Sequence, residues 1–155
     1  MSPLTVLALA LAALAGAFAL FVLVPKGLLV ALRDSLEARV KHRYPDSPLV
    51  FAEYTANSFG IESRGALQWR GNGALVMTEG ELCFFQVLSE GELVIPLEHI
   101  TKLRLVHKHL GKATTSSLLR IEFRGEQRAD AVAFWVPKPD VLKGLLEARL
   151  PPPGA

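Results

Sequence analysis

From Leu4 to Val24 the chain carries no charged residue (LTVLALALAALAGAFALFVLV). As a helix rising about 1.5 Å per residue, these 21 residues reach roughly 30 Å, the thickness of a bilayer hydrocarbon core. The run therefore predicts a transmembrane helix within residues 1–25. A cleaved secretory signal is the competing reading. Such a signal opens with basic residues, has an apolar run of about 7–15 residues and closes on a small-residue cleavage site. Here Met1 to Thr5 contain no Lys or Arg, the run is longer, and Val24-Pro25-Lys26 offers no such site beyond its end. Cleavage near Ala15-Gly16-Ala17, inside the run, is the alternative.

The flanks set the orientation. Lys26, Arg33, Arg39, Lys41 and Arg43 follow the run, and only the α-amino group precedes it. The positive-inside rule places the N-terminus outside and the C-terminal domain in the cytoplasm, at the cell (inner) membrane. Ala12/Gly16 and Ala15/Ala19 have the small-xxx-small spacing that lets helices approach closely, so a homodimer through the anchor or the following neck fits the pattern.

Residues 26–48 read as that neck, a juxtamembrane amphipathic helix and linker. Leu29, Leu32, Leu36 and Val40 make one apolar stripe, suited to anionic lipid headgroups, to the following domain or to a second copy. Pro45 to Pro48 end the helix. From Leu49 the period becomes strand-like. Turn signals at Asn57-Ser58, Gly71-Asn72-Gly73, Glu79-Gly80, Glu90-Gly91, Gly111 and Gly125-Glu126 separate short runs rich in β-branched and aromatic residues. The expected strands are 50–54, 65–69, 74–78, 82–88, 93–95, 101–108, 118–124 and 131–136. A closing helix carries Val141, Leu142, Leu145, Leu146 and Leu150 on one stripe, with Asp140 as its N-cap. The fold class expected is mainly β with α: a β-sandwich or barrel over 49–150, capped by a C-terminal helix, with a disordered tail at 151–155.

Two strands alternate clearly. Leu103 and Leu105 should face one way, and Lys102, Arg104 and Lys108 the other; Leu119, Ile121 and Phe123 should face in, and Arg120, Glu122 and Arg124 out. Paired as a hairpin, the strands would present five basic groups against one acid, with Lys112 in the polar loop 109–117 beside them. Lys102, Arg104, Lys108, Lys112, Arg120 and Arg124 are thus the candidate contacts for an anion, a lipid or a partner.

The segment from Gly71 to Leu150 resembles the pleckstrin-homology-like superfold, in its GRAM-type and bacterial branches. The resemblance rests on Gly73-Ala74-Leu75-Val76-Met77-Thr78, then Leu82-Cys83-Phe84, then Ile95-Pro96-Leu97-Glu98-His99-Ile100. It covers about half the chain, in core and turn positions. It implies hairpin strands closed by one helix and a membrane-associated binding module. Lipid-binding members typically carry a basic motif across the first hairpin, where this sequence offers only Arg64 and Arg70.

Catalytic and metal chemistry find little support. His107 and His109 have chelating spacing on a strand, but zinc takes three or four ligands and no third is evident. Gly111-Lys112 lacks the spacing of a phosphate-binding loop, and no G-x-S-x-G elbow occurs. The lone Cys83, in an apolar run, reads as a core thiol. A formal net charge of +2 is too small for a nucleic-acid-binding field. The expectation is a non-catalytic binding or scaffold module, without cofactor, that meets lipid headgroups or a protein partner. The alternative is an accessory subunit of a membrane protein complex.

Overall fold

The computed structural model describes residues 5, 14, 27–64, 70–87, 89–125 and 128–150. The expected transmembrane helix falls outside these residues, apart from Thr5 and Leu14, as do the strand expected at 65–69 and the tail 151–155. Among the described residues no helix is long and apolar enough to cross a membrane.

The chain divides into two units between Ser35 and Leu36. Residues 27–43 are helical (α1), and the division falls within them. In the first unit Leu28, Leu29 and Val30 are all exposed.

Among its described residues the second unit holds seven strands: β1 (Phe51–Ile61), β2 (Arg70–Met77), β3 (Glu81–Gln86), β4 (Glu92–Pro96), β5 (Ile100–His109), β6 (Lys112–Arg124) and β7 (Ala129–Trp135). Short 3₁₀ turns occupy Glu62–Arg64 and Leu97–His99, and α2 (Pro139–Glu147) closes the chain. All strand pairs are antiparallel, in the order β4-β3-β2-β1-β7-β6-β5. Flat, with strands about 4.8 Å apart, the two edges of such a sheet would stand roughly 29 Å from each other. Instead Leu75, Leu82 and Ile95 share one core with Leu119, Ile121 and Phe134, closed by Leu142 and Leu146 of α2. The sheet is therefore curled, with its inner face filled. The curled antiparallel sheet and C-terminal helix fit a pleckstrin-homology-like fold.

Several local expectations are corrected. Asn57 and Ser58 do not turn the chain. They continue β1, where Asn57 Nδ2 donates to Asn72 Oδ1 on β2 at 2.6 Å. A cross-strand partner satisfies the amide that, in isolation, favours a turn. Residues 109–117 do not form a polar loop either. The reversal takes only Leu110 and Gly111, both at positive φ, as a two-residue hairpin turn requires, and β6 begins at Lys112. Leu105 is 43% exposed rather than inward. At α2 the N-cap is Lys138, without a side-chain hydrogen bond, and Pro139 opens the helix. Proline suits the first turn because its missing N–H would have had no helical partner there. Val141 is exposed, leaving Leu142 and Leu146 as the buried anchors.

The outer face of β2 and β3 is also apolar. Ala74, Val76, Cys83 and Phe85 are buried there under Leu36 and Val40 of α1. Burial of these two helix side chains contributes about 1.5–3 kcal/mol each. Arg39 Nη1 donates to Gln86 O at 2.7 Å, and Arg43 lies 3.5 Å from Glu81 and 3.4 Å from Glu92. Gly73 allows the tight β2–β3 contact: a Cβ there would stand 2.1 Å from Phe85 O and 2.6 Å from the Phe84 ring.

Candidate functional site

A cleft of ≈ 730 Å³ opens between β4 and the β6–β7 turn. Its size suits a small ligand. Ile61, Leu93, Val94, Pro96 and Phe123 supply apolar lining, and Arg64, Arg124 and Arg128 bring three guanidinium groups to it, with His99 and Asp130 beside them. Three cations against one carboxylate favour an anion, and all three guanidinium side chains are exposed at the cleft.

Hydrogen bonds fix the cleft's wall. Asp130 Oδ1 accepts from Ser63 N at 3.0 Å and from Ala131 N at 2.8 Å, and its Oδ2 accepts from Ser63 Oγ. The start of β7 thereby holds the Glu62–Arg64 turn. Arg124 Nη2 donates to Glu98 O at 2.8 Å, which leans that side chain across from β6 toward the β4–β5 corner. Arg128 Nη2 reaches Ser63 O at 3.5 Å. A guanidinium has five donors, so single carbonyl contacts leave both groups capacity for a ligand.

The six candidate contacts separate. The β5–β6 hairpin forms as expected, with Arg104 opposite Arg120 and Lys102 opposite Glu122. Arg120, however, does not point freely outward. Its side chain is only 20% exposed, bonded to Glu122 and held 2.9 Å from Glu62 Oε1. Arg104 lies 3.2 Å from the same Glu122. The outer face is thus a compensated ion network in which Glu62, distant in sequence, adds a second acid. Lys102 and Lys108 are exposed. Lys112 lies 4.9 Å from the Phe59 ring centroid, a cation–π distance. Arg124 alone of the six lines the cleft.

Arg128 was not singled out in the sequence, and His99 entered only as part of the Ile95–Ile100 motif, because each stands in a short turn with no periodicity. The spacing Arg124-Gly125…Arg128, two cations flanking one tight turn, was the available signal. Arg64, set aside as too little for a first-hairpin motif, joins them only through the curl. Arg70 instead braces the fold, donating from Nε to Phe59 O at 3.1 Å and from Nη2 to Leu110 O at 3.4 Å.

His107 and His109 do not chelate. A bulge separates them, His107 is exposed, and His109 is buried with Nε2 2.9 Å from Gly60 O. Burial lowers the His109 pKa, opposed by its bond to Gly60 and by nearby Glu62. Among the described residues no three His, Cys, Asp or Glu side chains gather as a metal site. Cys83 lies under α1, where burial pushes its thiol up to about 12.

No family model matches the chain, and no curated protein matches it in sequence. Among solved structures, the C-terminal domain of an unknown protein from Leishmania infantum is similar over 73% of this chain and 95% of its own, at 14% identity and a TM-score of 0.50. The Vps36 N-terminal PH domain aligns over 68% of this chain and 80% of its own, at 12% identity and a TM-score of 0.49. At such identity the first of these likenesses speaks to fold alone, and the second carries no argument.

Proposed function

We propose that the chain is a membrane-anchored, non-catalytic module of GRAM-like character that holds its pleckstrin-homology-like domain at the cytoplasmic face of the cell membrane, where the cleft takes an anionic lipid headgroup. The carrying observation is the convergence of Arg64, Arg124 and Arg128 on one cleft with apolar lining. Two further features support the placement at a bilayer. The uncharged run at 4–24 has bilayer length. Directly after it, Leu28, Leu29 and Val30 expose apolar side chains at three successive helical positions, which no single amphipathic stripe would do. Tethering raises the local concentration of headgroups, so weak affinity suffices. Burial holds the Cys83 thiol well above neutral pH, which speaks against that one side chain as a nucleophile.

The test has two arms. The full chain is reconstituted in nanodiscs of neutral lipid, with and without about a third anionic lipid, enough to give a marked negative surface potential. Amide exchange is then followed over 123–125 and 128–130. Protection specific to anionic lipid, lost in Arg124→Glu/Arg128→Glu, supports the reading. Equal exchange in both lipids sinks the headgroup assignment and favours the accessory-subunit alternative. Separately, protease added to intact cells should spare the domain and protease added to inverted vesicles should digest it. The reverse pattern sinks the cytoplasmic placement.

A further inference from the structure

The β5–β6 hairpin is longer than the sheet requires. β6 pairs with β7 only from Leu119 to Arg124, so the stretch from Lys112 to Leu118, with the end of β5, forms an arm. Its tip returns to β1 and β2. Lys112 lies over Phe59, Arg70 bonds Leu110 O, and His109 Nε2 donates to Gly60 O at 2.9 Å. Val106 and Leu118, where the arm leaves the sheet, pack with Phe59, Ala133 and Trp135 on the outer face. Leu110, at the tip, has φ 47°, a region that non-glycine residues keep only when their surroundings hold them there.

His109 is the buried centre of this closure, with a side chain 1% exposed. Since Gly60 O can only accept, Nε2 carries the proton of the neutral ring and Nδ1 is bare. Nδ1 stands 3.9 Å from Glu62 Oε1, and that same oxygen takes Arg120 Nη2 at 2.9 Å. A second proton on His109 would therefore charge a side chain only 1% exposed, close to Arg120 and Arg70, with Glu62, 42% exposed and already bonded to Arg120, as its one carboxylate. The charged groups packed around the ring, among the described residues, are Glu62 from the 3₁₀ turn, Arg120 and Lys112 from β6, and Arg70 from β2; Lys108 and His107 precede it on β5. Of these charged groups only Glu62 favours the imidazolium, and the bond to Gly60 O favours it as well.

We propose that His109 is a proton-operated latch: neutral, it holds the β5–β6 arm against β1; protonated, it releases the arm. The device stands on the geometry of the arm and holds whether or not the cleft takes a headgroup.

The experiment uses the full chain in neutral-lipid nanodiscs with ¹³C-labelled histidine. His109 is titrated by NMR between about pH 7.5 and about pH 5, the range in which histidine charges. Amide exchange, corrected for its intrinsic pH dependence, is followed in parallel. The expected result is a His109 midpoint below the ordinary histidine value. Across it, exchange in 106–118 should rise by about tenfold while β2 and β3 stay protected, the signature of local opening. His109→Gln keeps a donor for Gly60 O but cannot titrate, so its arm should stay closed throughout. An arm that never loosens, one that opens only with the whole domain, or the same opening in His109→Gln overturns the proposal. Should that variant fail to fold, Glu62→Gln decides: losing the carboxylate must move the opening to lower pH, and an unchanged or higher midpoint overturns the latch.

Discussion

The two halves of the sheet solve the same problem differently. Each curls its inner face onto a shared core and leaves an outer face to be finished. Over β2 and β3 the finish is apolar and comes from far away in sequence: Leu36 and Val40 of α1 close over Ala74, Val76, Cys83 and Phe85. Over β5, β6 and β7 it is mostly polar and local: a small cluster around Phe59 and Leu118 is bordered by Glu62, Arg104, Arg120, Glu122 and His109. Apolar burial is nearly indifferent to pH and salt. A partly buried ion network responds to both. The first face is thus suited to permanent attachment of α1, and the second to adjustment.

That contrast can be broken by experiment. The largest effect is expected from Phe85→Ala, which should cost about 3–5 kcal/mol in chemical denaturation by opening a cavity under α1. A loss below about 1 kcal/mol would mean that α1 does not cover this face in solution. Leu36→Ala should cost about 2–3 kcal/mol and also speed thiol labelling of Cys83, which the helix shields. Unchanged labelling would separate the thiol's protection from the helix.

On the polar face the effects should be smaller and uneven. Arg120→Ala leaves Glu62 and Glu122 without their shared partner and should cost about 1.5–3 kcal/mol, the range for hydrogen bonds to charged groups. Arg104→Ala, at a side chain half exposed, should cost under about 1 kcal/mol. Equal losses would show that the face is a diffuse patch rather than a network centred on Arg120. The pH dependence should be the mildest. Burial lowers the His109 pKa below its ordinary 6.5. A depressed histidine stabilises the fold above the unfolded value, and that contribution is lost as pH falls through the folded one. Stability measured downward from pH 6.5 should decline in the native chain and less so in His109→Gln.

Much of the domain was readable in the residues. Five of the seven described strands were anticipated to within a few residues, because alternation and turn residues are local signals; β1 runs seven residues past its expected end and β6 begins six residues early. Lys112–Ser117 failed because its Thr and Ser residues resemble a loop until β5 lies beside them. The candidate site was far less legible. Arg124 was singled out for a strand face and serves the cleft, while Arg120, chosen for the same face, is held by Glu62 from 58 positions away. The continuous apolar runs of β2 and β3 did carry a sign that both faces are covered, but not what covers them.

Order along the chain determined roughly where most of the strands lie, that a helix closes the chain and that an uncharged stretch of bilayer length precedes the domain. Only the curl of the sheet decided which cations meet, which are neutralised and which line a cleft. The reason is range: backbone preference and hydrophobic period act over a few neighbouring residues, whereas a charge is defined by whatever the fold brings within a few ångströms of it.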